Sequence, residues 1–292
     1  MKKFRGTGVA LITPFKYDLS IDFATLGKVI NHVINGGVNY IVLMGTTGES
    51  STLSKDEKKA LISFALETID KRIPLVVGIG GNNTQDTITQ IKNTDLRNVD
   101  GILSVAPYYN KPTQRGLYEH FKAIATCSSV PVIMYNIPGR TGCNISADTC
   151  LQLAHDFENI VGVKEASGNM SQIMKILKDK PDNFLVISGD DLLTLPIIAL
   201  GGAGVISVIA NAYPTEWSEM VNNSLKQNFK AAREIFYRFI VIIELLFADG
   251  NPAGIKAVMN IMNLCQNNLR LPLVPVGKET YTMLRKAMEN IK

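Results

Sequence analysis

The sequence is poor in the residues that form disulfides and metal sites. Its 292 residues include four cysteines and three histidines. No two cysteines have the Cys-x-x-Cys spacing of redox or zinc motifs, so we expect free thiols in a reducing compartment. The cysteines are Cys127, Cys143, Cys150 and Cys265.

Long apolar runs and basic clusters are also absent. No apolar run reaches the ~18 residues that a membrane-spanning helix needs. The basic start is followed by Gly6, Gly8 and Pro14 rather than by the uninterrupted apolar stretch of an export signal. The 30 Lys and Arg residues barely outnumber the 26 Asp and Glu residues and are scattered, which argues against nucleic-acid binding. These absences predict a cytoplasmic protein that acts on small molecules and has no membrane partner.

The sequence does contain about eight short apolar runs, spaced roughly 20 to 34 residues apart. Nearly continuous apolar runs are typical of strands that are covered on both faces, as in parallel sheets. The runs occupy residues 9–12, 40–43, 75–77, 101–105, 132–135, 160–164, 184–187 and 205–209.

Helical patterns lie between these runs. One begins at Ser54, where a serine placed three residues before Glu57 forms a capping-box pattern ahead of an apolar face. Strand and helix alternate about eight times, which predicts an α/β fold of the (β/α)8, or TIM, barrel type. An open doubly wound sheet is the alternative, but no Gly-x-Gly-x-x-Gly motif follows an early strand. Further helices are predicted over residues 84–91, 116–125, 146–155 and 171–178.

From Tyr213 onward the pattern is helical throughout. We expect the first of these helices to complete a catalytic barrel over residues 1–225, and the others to form a C-terminal helical domain over residues 226–292. The second helix has an apolar face that we predict packs on the barrel wall, with a subunit contact as the alternative. The helices cover residues 216–225, 229–246, 253–265 and 278–291, and the apolar face consists of Phe236, Phe239, Ile240, Ile243 and Leu246.

The predicted strand over residues 160–164 is unusual because it ends in Lys164. A lysine is almost never buried without a partner. Burial disfavours the charged form of an amine, and a neutral amine is a nucleophile that forms a Schiff base with a carbonyl compound. The alternative for a lone lysine, and the more common outcome, is that its side chain reaches the surface from the strand end.

The other strand ends decide between these alternatives, because catalytic residues of such barrels lie where the strands finish. The segment Gly45-Thr46-Thr47-Gly48-Glu49-Ser50 comes after the second strand, and its hydroxyls and amides can hold a carboxylate. Arg140, after the fifth strand, offers a forked cation that suits carboxylates. The remaining strand-end residues are Tyr108, Tyr109, Tyr135, Ser188, Gly189, Asp190, Asp191 and Ile206.

An amine, phenols and carboxylate-binding groups at one face are the components of imine chemistry on a 2-oxo acid. A metal-dependent reaction is not favoured, because none of His32, His120 and His155 stands at a strand end. We therefore expect no metal and no cofactor. A pyridoxal-phosphate role for Lys164 is a weaker alternative, because no obvious phosphate-binding glycine loop follows the seventh and eighth strands; only the glycines of residues 201–204 keep it open.

Three segments together resemble the class I, pyruvate-dependent lyase and aldolase family. They are residues 45–50, residues 135–142 and Val163-Lys164-Glu165, and the resemblance extends over about residues 8–212. Tyr108, Tyr109 and Arg140 favour the members that condense pyruvate with L-aspartate 4-semialdehyde to give 4-hydroxy-tetrahydrodipicolinate, in lysine and diaminopimelate biosynthesis. The alternatives are a lyase that releases pyruvate from a sugar acid and a binding protein without turnover. Gly139 replaces a serine that is common in the family.

The resemblance implies roles for the catalytic residues. Lys164 forms the Schiff base with pyruvate, and Tyr135 is the general acid and base beside it. Thr46 and Tyr109 complete a proton relay with Tyr135, and Tyr109 comes from a neighbouring subunit of a homotetramer built as a dimer of dimers.

The same resemblance implies roles for the residues that bind substrate. Thr47 helps to hold the carboxylate of pyruvate, and Arg140 binds the carboxylate of aspartate semialdehyde. Gly189 and Ile206 line the pocket through their backbones. The resemblance implies no cofactor.

In members of the family that L-lysine inhibits, an allosteric pocket lies at a subunit interface. Strongly inhibited members tend to carry histidines at the positions of Lys55 and Lys58 and a glutamate at the position of Asp86. Two ammonium groups ~4 Å apart repel each other by ~4 kcal/mol at an effective dielectric constant of ~20. We therefore predict weak inhibition or none, unless both lysines face solvent. The matching positions are Ser50, Leu53, Lys55, Lys58, Gly80, Asn82, Asp86 and Tyr108.

Overall fold

The structure, a computed structural model, describes residues 2–291. Eight parallel strands pair in chain order, and the eighth pairs with the first to close a barrel. The barrel predicted from the sequence is therefore confirmed. The strands are β1 (Gly6–Ala10), β2 (Tyr40–Leu43), β3 (Leu75–Gly78), β4 (Gly101–Val105), β5 (Val132–Asn136), β6 (Ile160–Glu165), β7 (Leu185–Ser188) and β8 (Gly204–Ser207).

The first and last strands differ most from their predicted bounds. Strand β1 begins at Gly6 rather than at residue 9, because Gly6 already pairs with Gly204 of β8, and large neighbours fill the space beside its glycines. A Cβ on Gly8 would lie 2.2 Å from Cζ of Tyr40. Strand β8 ends at Ser207, because the chain then turns into a short 3₁₀ helix, Ile209–Asn211. The pattern of apolar runs therefore misses the glycine-containing start of β1 and continues past the end of β8 into the 3₁₀ helix.

Helices lie between the strands on the outside of the barrel. The predicted capping box is present, since the Ser54 side chain accepts from the Glu57 amide while the Glu57 carboxylate accepts from the Ser54 amide. The sequence pattern did not predict the first, fifth and eighth helices; the first begins at Asp22, whose side chain accepts from the Thr25 amide. The helices are α1 (Phe23–Asn35), α2 (Lys55–Ile69), α3 (Thr84–Asn93), α4 (Gln114–Cys127), α5 (Pro138–Thr141), α6 (Ala147–Asp156), α7 (Met170–Asp179) and α8 (Thr194–Ala199).

Side chains fill the inside of the barrel. The rings of Phe4 and Tyr40 are both fully buried and meet edge to face, with centroids 5.8 Å apart. Both residues belong to the end where the strands begin, so this end is closed by aromatic side chains. Tyr135 and Lys164 lie at the opposite end, where the strands finish.

Four further helices come after the last strand: α9 (Pro214–Leu225), α10 (Phe229–Ala248), α11 (Ala253–Ile261) and α12 (Lys278–Glu289). The apolar face predicted on α10 packs inward as expected. Phe236 and Phe239 lie against the buried Trp217 of α9, with ring centroids 6.1 and 5.8 Å apart. The opposite face of α10 leaves Tyr237 and Val241 63% and 59% exposed. The division into domains at residues 225 and 226 stays a proposal.

Two further sequence predictions concern cysteines and membranes. All four cysteines are free thiols, as predicted. Burial raises the pKa of the Cys265 thiol to about 11 and moves the pKa of Cys150 in the same direction, so neither is a reactive thiolate near neutral pH. Within residues 2–291, none of the helices is long and apolar enough to cross a membrane.

Candidate active site

Lys164 and Tyr135 lie side by side inside the mouth of the barrel. They are direct partners in the pairing of β5 with β6. Lys164 Nζ lies 4.3 Å from the centroid of the Tyr135 ring, and the lysine is only 6% exposed. Within residues 2–291, no hydrogen bond or ion pair engages this amine. The lysine therefore does not reach the surface, and its nitrogen is free to attack a carbonyl group.

An irregularity in β6 turns Lys164 inward. Val161 and Gly162 together lie opposite the single residue Ile133 of β5. Such a bulge reverses the alternation of side chains beyond it. Without it, a strand with Val161 inside the barrel would point Lys164 outward. A Cβ on Gly162 would lie 2.6 Å from the Leu185 carbonyl oxygen, so this part of the strand packs tightly on β7.

The loop after β2 brings Thr46 and Thr47 to the same mouth. Thr46 and Tyr135 line one small cavity of about 100 Å³. Thr47 is buried, and its Oγ1 accepts a hydrogen bond from Asn251 Nδ2 (3.0 Å). Because that bond uses the oxygen as an acceptor, the Thr47 hydroxyl keeps its proton for a carboxylate.

A buried ion pair anchors this loop to the C-terminal helices. Lys256 Nζ donates to Glu49 Oε1 at 2.5 Å, and both side chains are fully buried. Burial lowers the pKa of the Lys256 amine, and the neighbouring Glu49 carboxylate opposes that shift. The second oxygen of Glu49 accepts from the Arg270 amide (3.1 Å). The backbone at Met44 and at Glu49 has positive φ angles of 57° and 53°, so these contacts hold a strained loop.

Gly189 lies beside Lys164, whereas Ile206 belongs to the buried cluster inside the barrel. A Cβ on Gly189 would lie 3.0 Å from Cε of Lys164, so glycine lets the backbone approach the amine closely. Ile206 is buried inside the barrel. Asp191, two residues after Gly189, accepts from the Val208 and Ile209 amides and ties the two loops together. Burial raises the pKa of the Asp191 carboxyl to about 6.

Arg140 and Tyr109 lie at the rim. The exposed Arg140 donates one hydrogen bond, to the Asn251 carbonyl oxygen (3.3 Å), which leaves most of its guanidinium free. Tyr109 is 89% exposed, and its backbone φ is 78°. A single chain therefore does not enclose Tyr109 in the site with Thr46 and Tyr135.

Known proteins are similar to this chain in sequence and in fold. A sequence profile of the dihydrodipicolinate synthetase family matches residues 3–291. The chain belongs to this family. Proteins named 4-hydroxy-tetrahydrodipicolinate synthase from Parabacteroides distasonis and Flavobacterium psychrophilum are 48% and 50% identical to it. The first match covers 98% of this chain and 97% of the relative, and the second covers 96% and 95%.

Solved structures of the dihydrodipicolinate synthetase family have the same fold. Dihydrodipicolinate synthase from Aquifex aeolicus superposes with a TM-score of 0.95 at 43% identity, over 98% of this chain and 97% of that chain. A monomeric dihydrodipicolinate synthase variant superposes with a TM-score of 0.96 at 37% identity, over 99% and 97%. The family resemblance read from the Thr46, Tyr135 and Lys164 segments is confirmed, and a sugar-acid lyase is not favoured.

Several of the positions that match the family's allosteric pocket lie around two adjoining cavities, and Lys58 lines both. Lys55, Lys58 and Asp86 line one groove of about 660 Å³ between α2 and α3. Both lysines therefore face the groove. Burial lowers the pKa of Lys58. Ser50 and Gly80 line the smaller cavity next to Tyr135 together with Lys58. Leu53 is buried, and Asn82 and Tyr108 are exposed.

Sequence reasoning missed two parts of the site. Asn251 contacts both Thr47 and Arg140, although its turn-like neighbours, Gly250 and Pro252, were the only signal in the sequence. Glu165 stood out only as part of the family segment. In the structure it is buried beside Lys164 and accepts hydrogen bonds from Asn136 and Gln172.

Proposed function

We propose that this chain condenses pyruvate with L-aspartate 4-semialdehyde to give 4-hydroxy-tetrahydrodipicolinate, in lysine and diaminopimelate biosynthesis. The buried, unpartnered Lys164 amine against the Tyr135 ring is the observation that carries this proposal. The names of relatives about half identical to the chain support the choice of substrates. Free thiols agree with a cytoplasmic location.

The first half of the reaction joins pyruvate to the enzyme. Lys164 Nζ attacks the C2 carbonyl carbon, and the carbinolamine loses water to form an imine. Loss of a proton from C3 converts the imine into an enamine. Tyr135 gives and accepts the protons of these steps, with Thr46 beside it in the cavity. The Thr47 hydroxyl donates to the carboxylate of pyruvate.

The second half forms the carbon–carbon bond. The enamine carbon attacks the aldehyde carbon of aspartate semialdehyde, whose carboxylate pairs with Arg140 at the rim. The amino group of the semialdehyde then attacks the imine carbon, closes the ring and releases Lys164 as a free amine. Gly189 leaves room for the covalent intermediate beside the lysine, because no side chain projects there.

Borohydride trapping tests the proposal directly. Reduction in the presence of pyruvate should add one pyruvyl group to each chain, and peptide mass analysis should place it on Lys164. A parallel assay with both substrates should show the condensation product. If wild-type protein traps no pyruvate, or traps it on another lysine, the proposed function is wrong.

Arg140→Ala should separate the two substrates. Removing a charged hydrogen-bonding group costs roughly 1.5–3 kcal/mol, or ~10- to 100-fold, in use of aspartate semialdehyde. Trapping of pyruvate alone should proceed at the wild-type rate, because Arg140 lies at the rim. Arg140→Lys keeps the positive charge but not the forked guanidinium. Its use of aspartate semialdehyde should therefore fall between that of the wild type and that of Arg140→Ala. Unchanged kcat and Michaelis constants in Arg140→Ala would show that the residue is structural.

We assign the chain to a homotetramer, built as a dimer of dimers, in which Tyr109 completes the site of a neighbouring subunit. The exposure of Tyr109 supports this assignment, and so does the exposed apolar face around Tyr237 and Val241. The existence of a monomeric family variant makes a direct test necessary.

Subunit mixing provides that test. Tyr109→Phe and Lys164→Ala should each be inactive alone. After co-refolding at equal amounts, half of the dimers are hybrids and one of their two sites is intact, so about a quarter of wild-type activity should return. Wild-type protein refolded the same way is the control. No recovery in a mixture that sedimentation shows to be oligomeric would place Tyr109 in its own chain's site.

L-Lysine should inhibit weakly or not at all. The groove that matches the family's allosteric pocket is lined by Lys55 and Lys58, which repel the ammonium groups of the ligand. Asp86 alone provides a negative partner there. Titration of L-lysine at saturating substrates measures the effect, and Lys55→His with Lys58→His should raise sensitivity. Near-complete inhibition of the wild type at sub-millimolar lysine would contradict this expectation.

A further inference from the structure

Glu165 is a buried carboxylate that lies next to Lys164 in sequence but on the outer face of the barrel. Its Oε1 accepts from Asn136 Nδ2 (2.5 Å) and from Gln172 Nε2 (2.9 Å). Its Oε2 accepts from the Ser167 hydroxyl (2.5 Å) and the Ser167 amide (3.2 Å). Only 1% of the residue is exposed, and no cation within residues 2–291 forms an ion pair with it.

Such a group is costly to bury. A carboxylate without a cation or a full set of hydrogen bonds is strongly disfavoured inside a protein. Here four donors replace its hydration shell. A neutral apolar side chain would fill the same space more cheaply, so the geometry of these four bonds needs a reason beyond packing.

The bonds fix the register of two strands. Asn136 of β5 and Glu165 of β6 are direct partners, and the next pair toward the barrel floor is Tyr135 with Lys164. The bulge at Val161 and Gly162 has already shifted β6 by one residue. Only a few residues of β6 lie beyond the bulge, so the bond from Asn136 to Glu165 holds the pairing at the end where the chemistry occurs. A one-residue slip would turn Lys164 out of the barrel.

The same carboxylate also anchors the turn and helix α7 that come after β6. Ser167 belongs to the turn and Gln172 to the helix, and Gln172 in turn bonds Asn144 and the Ile145 carbonyl oxygen. Ile145 donates its amide to Asn136 Oδ1 (2.9 Å). The network is therefore closed on both strands, and Glu165 is the acceptor at its centre.

We infer that Glu165 is a positioning residue, whose hydrogen bonds across the outer face of β5 and β6 hold Lys164 against Tyr135 inside the barrel. The inference rests on the proposed function, since it assigns Lys164 and Tyr135 their roles. Glu165 touches neither substrate and acts only through the strand that carries the nucleophile.

Glu165→Gln and Glu165→Leu should slow the trapping of pyruvate to different extents. Glutamine keeps one acceptor oxygen for Asn136 and Gln172. Its side-chain NH2 group then faces the Ser167 N–H, so that two donors meet. Leucine removes all four bonds. Displacement of a reacting group by about 1 Å costs on the order of 100-fold, so we expect the trapping rate with pyruvate to fall ~10-fold in the glutamine variant and ~100-fold in the leucine variant. The kcat should fall in parallel, while the Michaelis constant for aspartate semialdehyde stays unchanged.

Rates are expressed per folded chain, from the fraction that circular dichroism shows to be folded. Leu284→Ala, at a buried position of α12 outside the Glu165 hydrogen-bond network, controls for loss of stability alone and should trap at the wild-type rate. Equal trapping rates for wild type and both Glu165 variants would overturn the inference. Slow trapping in Leu284→Ala as well would also overturn it, because loss of stability would then explain the effect.

If the Glu165 variants do not fold, Ser167→Ala tests the positioning role of Glu165. It removes one bond to Glu165 from a half-buried hydroxyl and should trap ~2- to 5-fold more slowly. A wild-type rate in this variant would then overturn the inference. Failure of the wild type to trap pyruvate would instead refute the proposed function, so the two failures are distinguishable.

Discussion

Replacing Lys164 with alanine should lower the rate of condensation by about 10³-fold or more, because loss of a covalent nucleophile removes the imine step altogether. Lys164→Arg should be equally inactive, although its side chain has a similar reach. Both variants should fold. Since no hydrogen bond or ion pair engages the Lys164 amine within residues 2–291, its removal leaves no partner unsatisfied. Steady-state rates and thermal unfolding measure the two effects.

The chain offers a matched comparison in Lys256, which is also buried. Its amine donates to Glu49 and to the Asn268 carbonyl oxygen, so it should not react with pyruvate. Borohydride should therefore modify Lys164 and leave Lys256 untouched. Substantial activity in Lys164→Ala, or a pyruvyl group on Lys256, would show that burial alone had been mistaken for function.

Lys256→Met should destabilise the protein by about 3–5 kcal/mol. The variant leaves the Glu49 carboxylate buried without its cation, and loss of one member of a buried pair carries a penalty of that size. The free energy of unfolding from denaturant titration gives the value. Glu49→Gln combined with Lys256→Met should recover a large part of the loss, since no buried charge then remains unpaired.

The exposed ion pair between Arg97 and Asp95 is the control for this experiment, because both side chains lie mostly in solvent. Arg97→Ala should change stability by less than about 1 kcal/mol. Lys256→Met should also slow the trapping of pyruvate, because Glu49 belongs to the loop that carries Thr46 and Thr47. A cost as small as that of the exposed pair would mean that the C-terminal helices do not hold this loop.

The sequence predicts those parts of the fold that depend on hydrophobic pattern. Eight apolar runs mark eight strands, because parallel strands of a barrel are covered on both sides. The Ser54 and Glu57 pattern predicts the start of α2, because capping is a local interaction. The apolar pattern does not detect Gly6 and Gly8, because they belong to β1 through pairing with β8 and leave their side-chain space to Asn39 and Tyr40.

The direction of a side chain is harder to predict than the strand that carries it. Lys164 is found at a strand end from the sequence, but its inward direction depends on the bulge at Val161 and Gly162. That bulge is a property of pairing with β5, and its one local signal is Gly162, a glycine inside the apolar run. The partnership of Asn251 with Thr47 is equally hidden, because it joins residues far apart in the chain.

The aromatic side chains that close one end of the barrel restrict the route by which substrates reach the site. With the rings of Phe4 and Tyr40 closing one end, nothing passes along the axis of the barrel. Substrates and product therefore enter and leave at the opposite end of the barrel, where Arg140 lies at the rim. We therefore expect pyruvate to bind first, because the proposed nucleophile Lys164 is buried while Arg140, the proposed site for the second substrate, is exposed. The product must then leave by the same end before the next pyruvate molecule enters.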